Sequence, residues 1–93
     1  MHIKILDKIN KHNVEFKKYF GTDLKVFVNP LLARMGIFDF DIISFDKYLH
    51  RQGYREEKHG SIKDYLLTKH GKDAVDLIDD LILMDIGDAN GGD

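Results

Sequence analysis

Apolar residues near the start of the chain recur at the spacing of a helix. The stripe has steps of three, three, seven and four residues and comprises Ile3, Leu6, Ile9, Phe16 and Phe20. Asn13 fills the middle step, and Gly21 follows as a residue that readily ends a helix. The pattern predicts a helix from about residue 3 to residue 20. An alternative breaks it near Asn13 and makes residues 14–19 one strand of a hairpin.

After the first predicted helix, the apolar residues no longer recur at helical spacing but alternate with polar residues. Residues 24–28 alternate and are rich in β-branched and aromatic side chains, which predicts a short strand. Pro30 ends it and is favoured at a first helical position, so residues 31–35 are predicted to form a single helical turn. Residues 37–43 mix apolar and acidic side chains. They are predicted to be either a second strand, paired with the first, or an extended connection.

Helix-capping signals organise the second half. Ser44 precedes the amphipathic residues 45–52 and is predicted to cap their helix. Residues 54–60 are highly charged and predict a loop. Ser61, followed by Asp64, resembles a capping box that opens the next helix.

The last helix is predicted to begin at Asp73. Its apolar stripe consists of Ala74, Leu77, Ile78, Leu81 and Ile82. The predicted fold is therefore α+β and mostly helical, with about four helices and a small two-stranded β element. Residues 1–86 are predicted to form a single compact domain, and residues 87–93 a flexible acidic tail. The predicted core comprises Leu6, Ile9, Phe16, Phe20, Val26, Val28, Ile43, Tyr48, Leu49, Leu66, Leu67, Leu77, Ile78 and Leu81.

The amino-acid composition excludes several kinds of functional site. The 93 residues contain no cysteine, which excludes disulfides, thiolate metal sites and cysteine nucleophiles. The two serines are Ser44 and Ser61, both at predicted helix starts where backbone amides occupy the hydroxyl. We therefore expect no catalytic residues, no metal site, no cofactor and no enzymatic activity. The apolar runs are short, so we also expect no membrane span and a cytoplasmic location, bacterial or in a host cell.

One pair keeps a metal-dependent enzyme open as an alternative. Asp46 and His50 lie four residues apart and share a helix face, which suits metal binding or acid–base pairing. A third ligand would come from His59 or His70. The simpler interpretation is an exposed pair on the helix surface.

Charge runs from basic to acidic along the chain. Residues 1–35 hold seven Lys or Arg and three Asp or Glu, whereas residues 71–93 hold Lys72 against seven Asp. Lys72 stands four residues before Asp76, and no lysine or arginine follows it to neutralise the other aspartates. Such carboxylates can imitate a row of phosphates. The predicted partner-binding residues are Asp73, Asp76, Asp79, Asp80, Asp85 and Asp88.

These features predict a non-enzymatic inhibitor or modulator that binds a larger protein or ribonucleoprotein complex, as a mimic of nucleic acid. The alternative is a small nucleic-acid-binding module that uses an N-terminal lysine face, made of Lys8, Lys11, Lys17, Lys18 and Lys25. Direct nucleic-acid binding is less favoured because the first 50 residues contain one arginine and the pI is about 6.2. A homodimer is also expected to be accessible, because short amphipathic helices often complete their cores across a two-fold axis.

The helix-boundary signals in residues 45–54, 60–65 and 71–74 resemble those of small proteins encoded by phages and mobile elements. That size class includes inhibitors of host defence such as anti-CRISPR proteins. The resemblance implies inhibition of a defence complex and assigns no residue, because those inhibitors share no common motif.

Overall fold

The chain folds into helices joined by short connections. The computed structural model describes the backbone of residues 3–89 and the side chains of residues 5–83. Within that range there are six α-helices and one 3₁₀ turn. The helices are α1 (Ile3–Phe20), α2 (Pro30–Arg34), α3 (Ile42–Arg51), α4 (Glu56–His59), α5 (Ile62–His70) and α6 (Lys72–Ala89), and the 3₁₀ turn is Leu24–Phe27.

The predicted α+β fold with a two-stranded β element is wrong, because residues 3–89 form no strand. Leu24 and Phe27 are buried while Val26 is 62% exposed. A spacing of three suits a 3₁₀ turn, whose side chains eclipse every third residue. An alternating strand would instead have placed Val26 on the same face as Leu24. Residues 37–41 connect α2 to α3, and among them Phe40 forms one isolated antiparallel bridge with Val28, the residue after the 3₁₀ turn.

Helix α1 confirms the prediction for residues 3–20, and the alternative with a strand at 14–19 is wrong. Gly21 has φ +71°, and its N–H donates to the Lys17 carbonyl at 2.8 Å, which ends the helix. The side-chain oxygen Oδ1 of Asn13 accepts a hydrogen bond from the Leu24 N–H at 2.8 Å. This polar position in the apolar stripe therefore attaches the 3₁₀ turn to α1.

Two predictions about helix starts need correction. Helix α3 begins at Ile42, and its N-cap is Asp41 rather than Ser44. The Asp41 carboxylate accepts hydrogen bonds from the Ser44 N–H at 3.0 Å and from the Ser44 hydroxyl at 2.7 Å. These bonds lower the pKa of Asp41, because they stabilise the charged carboxylate. The predicted loop at 54–60 also contains the short helix α4.

The capping box that begins α5 is confirmed. The Ser61 hydroxyl accepts from the Asp64 N–H, and the Asp64 carboxylate accepts from the Ser61 N–H, both at 3.2 Å. Helix α6 then packs against α5 and α1. It continues to Ala89, so it includes the first residues of the predicted tail. Residues 90–93 lie outside the described range.

The aromatic side chains of the core cluster around Phe16, which is fully buried. Its ring centroid lies 4.8 Å from that of Phe20, 5.7 Å from that of Phe27 and 5.8 Å from that of Phe45. Four side chains predicted to be in the core are exposed instead: Leu6, Val26, Ile43 and Leu67. None of the helices in the described range has the length and apolar character needed to cross a membrane.

Candidate functional site

Helix α6 packs against the core through one face and exposes another face to solvent. Ala74, Leu77, Ile78 and Leu81 are at most 4% exposed and pack into the core. The predicted stripe therefore fixes the rotation of the helix. The carboxylates that the stripe leaves outside are consequently presented on a well-supported backbone.

Three of the predicted partner-binding residues lie together on this outer surface. Asp73, Asp76 and Asp80 are exposed and spaced by three and four residues, so they follow one line along the helix. None of the three forms an ion pair within 4.0 Å with the described side chains. We call these three residues the carboxylate row.

Asp79 is placed differently from the carboxylate row. One of its carboxylate oxygens lies 2.6 Å from the Lys63 Nζ of α5. Asp79 therefore contributes to the α5–α6 contact, and much of its charge is compensated. Asp85 and Asp88 belong to α6, but their side chains lie outside the described residues.

The carboxylate row forms one wall of an open groove of about 600 Å³ between α6 and α1. The α1 wall consists of Lys11, His12, Glu15, Lys18 and Tyr19, and Leu77 completes the lining. Lys11, Glu15 and Lys18 share one helix face because they are four and three residues apart. The groove therefore contains four carboxylates and two ammonium groups.

The pKa of Tyr19 reflects the negative charge in the groove. Desolvation raises its pKa, and the nearby Asp73 and Glu15 carboxylates raise it further because they disfavour a phenolate. The Lys18 ammonium lies 5.8 Å from the centre of the Tyr19 ring. Groove 1, as we call this α1–α6 groove, thus has a predominantly negative wall facing a mixed one.

The predicted lysine face is divided by these contacts. Lys17 Nζ lies 3.5 Å from the Asp23 carboxylate. A hydrogen bond from the Asn13 amide and, after it, the charge of Lys17 lower the pKa of Asp23. Lys11 and Lys18 line groove 1 opposite the aspartates. A phosphate approaching those two lysines would also meet the carboxylate row, so the face is not a continuous cationic surface.

The histidines do not assemble into a metal site in the described residues, where no group of three metal-binding side chains occurs. His50 Nδ1 lies 3.3 Å from the Asp46 carboxylate, as their spacing predicts. His50 and His59 both pack against the Tyr54 ring, while His70 packs on Phe20. Asp46 and His50 therefore remain a pair on the surface of α3.

The sequence prediction named Lys11 and Lys18 as phosphate contacts but missed Glu15 and the α1 wall of groove 1 that the three residues share. Its signal was present, because Lys11, Glu15 and Lys18 recur at helical spacing. Nothing in that spacing identifies α6 as the neighbouring helix, since the pairing depends on how the chain turns between residues 21 and 71. No protein-family model, curated protein or solved structure matches this chain.

Proposed function

We propose that this protein is a non-enzymatic, cytoplasmic binding protein that inhibits or modulates a larger protein or ribonucleoprotein partner. It places the carboxylate row on a cationic surface that the partner uses to hold nucleic acid. The observation that carries the proposal is the alignment of Asp73, Asp76 and Asp80, which are exposed and form no ion pair within 4.0 Å with the described side chains. The phage-inhibitor resemblance of the sequence is consistent with such a partner.

The spacing of the charges supports mimicry of a nucleic-acid strand. Asp73 and Asp80 are seven residues apart, which corresponds to about 10 Å along a helix axis. Three charges over that length give about 5 Å per charge, against about 3.4 Å per phosphate along one DNA strand. A lysine- or arginine-rich surface shaped for a phosphate backbone can therefore meet successive carboxylates.

The groove adds selectivity to this charge pattern. A cationic side chain of the partner that enters groove 1 meets the carboxylate row on one wall and Glu15 on the other. Lys11 and Lys18 disfavour cations at their own positions on the α1 wall. Electrostatic complementarity of this kind favours one register over others and accelerates encounter with the correct partner.

The test uses affinity capture from the native host with the full chain as bait. The captured protein is then purified and titrated with three forms of the bait. These are the natural chain, the triple variant Asp73→Asn, Asp76→Asn and Asp80→Asn, and a matched control. The control is Asp7→Asn, Asp39→Asn and Glu57→Gln, which removes three carboxylates that lie outside groove 1.

We expect the triple variant to bind at least about tenfold more weakly, equivalent to about 1.4 kcal/mol, and the control to bind as the natural chain does. The natural chain should also displace nucleic acid from the partner. Equal affinity of all three forms would refute the role of the carboxylate row. A partner that keeps its nucleic acid when saturated with the chain would refute mimicry.

A further inference from the structure

A second groove lies on α3, α4 and α5, and its floor is apolar. It has a volume of about 380 Å³ and is lined by Ile42, Ile43, Tyr54 and Ile62, with Asp46, Glu56 and Ser61 around them. Ile43 is 68% exposed although it is a large apolar side chain. We call this groove the isoleucine cleft, and none of its residues lines groove 1.

The rim of the isoleucine cleft is negatively charged. No lysine or arginine lines the cleft. The neighbouring Arg55 is engaged elsewhere, since its Nη1 donates to the backbone carbonyls of His50 and Tyr54 at 2.9 and 2.7 Å. Lys63 is paired with Asp79. The cleft is therefore suited to an apolar side chain that has a cation beside it.

The pKa of Tyr54 also reflects the negative charge around the cleft. Desolvation raises the pKa of Tyr54, and the carboxylates of Glu56, Asp46, Asp64 and Glu57 raise it further. Asp46 also lies against His50, whose imidazole carries a positive charge only when it is protonated.

A matching segment exists on this same chain. In α2 and the residue after it, Leu31 and Met35 are 67% and 70% exposed. They are four residues apart and share a helix face, with Arg34 beside them. Arg34 is the one charged residue between Asn29 and Phe38. The segment 31–35 is thus an exposed apolar pair with an adjacent cation.

We propose that the isoleucine cleft binds the Leu31–Met35 segment of a second copy of this chain. Leu31 and Met35 cover Ile42 and Ile43, and the Arg34 guanidinium lies against the Glu56 carboxylate at the rim. This arrangement follows the helix-in-groove mode, in which side chains at i and i+4 enter an apolar groove. Each copy carries both halves, so two reciprocal contacts can form one closed, two-fold dimer.

The contact is small, and this sets its expected strength. Stable interfaces bury about 800 Å² per partner, which is more than one helical turn supplies. We expect a dimer that dissociates in the micromolar to millimolar range. Because a charge pair lies at its rim, the dimer should weaken as salt rises.

The experiment is sedimentation equilibrium of the full chain over that concentration range, at low and high salt. The natural chain should show a monomer–dimer equilibrium. Ile43→Gln should weaken the dimer at least about tenfold. Val14→Gln is the control, because Val14 is 79% exposed and lies on α1, away from the contact. Far-UV circular dichroism of each variant establishes that the helices are retained.

A charge exchange identifies the two surfaces. Arg34→Glu places two acids at the contact, and Glu56→Arg places two cations there, so each variant alone should be monomeric. An equimolar mixture should regain the dimer, because both reciprocal contacts then join opposite charges.

A natural chain that remains monomeric throughout overturns the proposal, as does a dimer that Ile43→Gln leaves unchanged or a mixture that fails to associate. Since the triple variant of the carboxylate row tests other residues, either proposal can fail without the other.

Discussion

Helix α6 and the segment between α1 and α3 are stabilised in different ways. Along α6, burial is shared among successive turns through Ala74, Leu77, Ile78 and Leu81. The segment 21–41 has little regular structure and depends on a few anchors, chiefly Phe27, Phe38 and Phe40 and the hydrogen bond to Asn13. Burial is therefore spread over several turns of α6, whereas in the segment 21–41 it is concentrated in a few aromatic side chains and leaves Leu31 and Met35 exposed.

The largest expected effect lies in the irregular segment. Phe27→Ala removes a 3% exposed ring that packs against Phe16, Phe40, Phe45 and Tyr48. We expect the free energy of unfolding to fall by about 3–5 kcal/mol, because a cavity is left among rings that cannot all move inwards. Urea unfolding followed by circular dichroism measures the loss.

The counterpart on α6 is Val75→Ala, which shortens a half-buried side chain at the edge of the core. Here we expect a loss of about 1 kcal/mol, since little apolar area returns to water. Equal losses for the two variants would contradict the division between concentrated and shared burial.

An effect smaller than that of Phe27→Ala is expected from the polar anchor of the 3₁₀ turn. Asn13→Ala leaves the Leu24 N–H without its acceptor and should cost about 1–3 kcal/mol in urea unfolding. Asn10→Ala, on the exposed side of the same helix, is the control and should change stability by no more than about 0.5 kcal/mol. If both variants unfold alike, the turn does not depend on Asn13.

The start of α5 tests the regular part. Ser61→Ala removes the hydroxyl that accepts from the Asp64 N–H, and we expect a loss of about 1 kcal/mol. Ser44→Ala should lower the free energy of unfolding by less, because the Asp41 carboxylate would still accept from the backbone N–H of residue 44 at the start of α3. Thermal unfolding of the two variants ranks the caps, and a reversed order would contradict the assignment of Asp41.

The smallest effect is a pH dependence at the end of α5. Desolvation, followed by the charge of Lys69, lowers the pKa of His70, so the folded state favours the neutral imidazole. The unfolded chain binds a proton near pH 6.5. Stability from this group is therefore complete above that pH and declines as the pH falls toward the lowered pKa. His70→Gln should flatten this part of the stability curve, and an unchanged curve would exclude His70 as its source.

The sequence predicted the elements whose signals are local. The stripe of α1, the capping box at Ser61 and the stripe of α6 each lie within a single helix. The predicted strand at residues 24–28 was wrong although the composition of this segment suits a strand. Burial of Leu24 and Phe27, three residues apart, requires a 3₁₀ turn and depends on tertiary packing. The prediction that Ser44 caps α3 was wrong because Asp41, three residues earlier, is the N-cap. Its charged carboxylate accepts a hydrogen bond from the Ser44 N–H. Asp73, Asp76 and Asp80 were predicted as candidates, but their position opposite Lys11 and Lys18 depends on tertiary packing.

The salt dependence of partner affinity tests the proposal that the outer face of α6 binds the partner. Affinity of the natural chain should fall steadily as salt rises, because opposite charges meet at the contact. The variant lacking the three carboxylates of Asp73, Asp76 and Asp80 should bind weakly even at low salt, with a nearly flat dependence. If that variant keeps the affinity and the salt dependence of the natural chain, the proposal is contradicted.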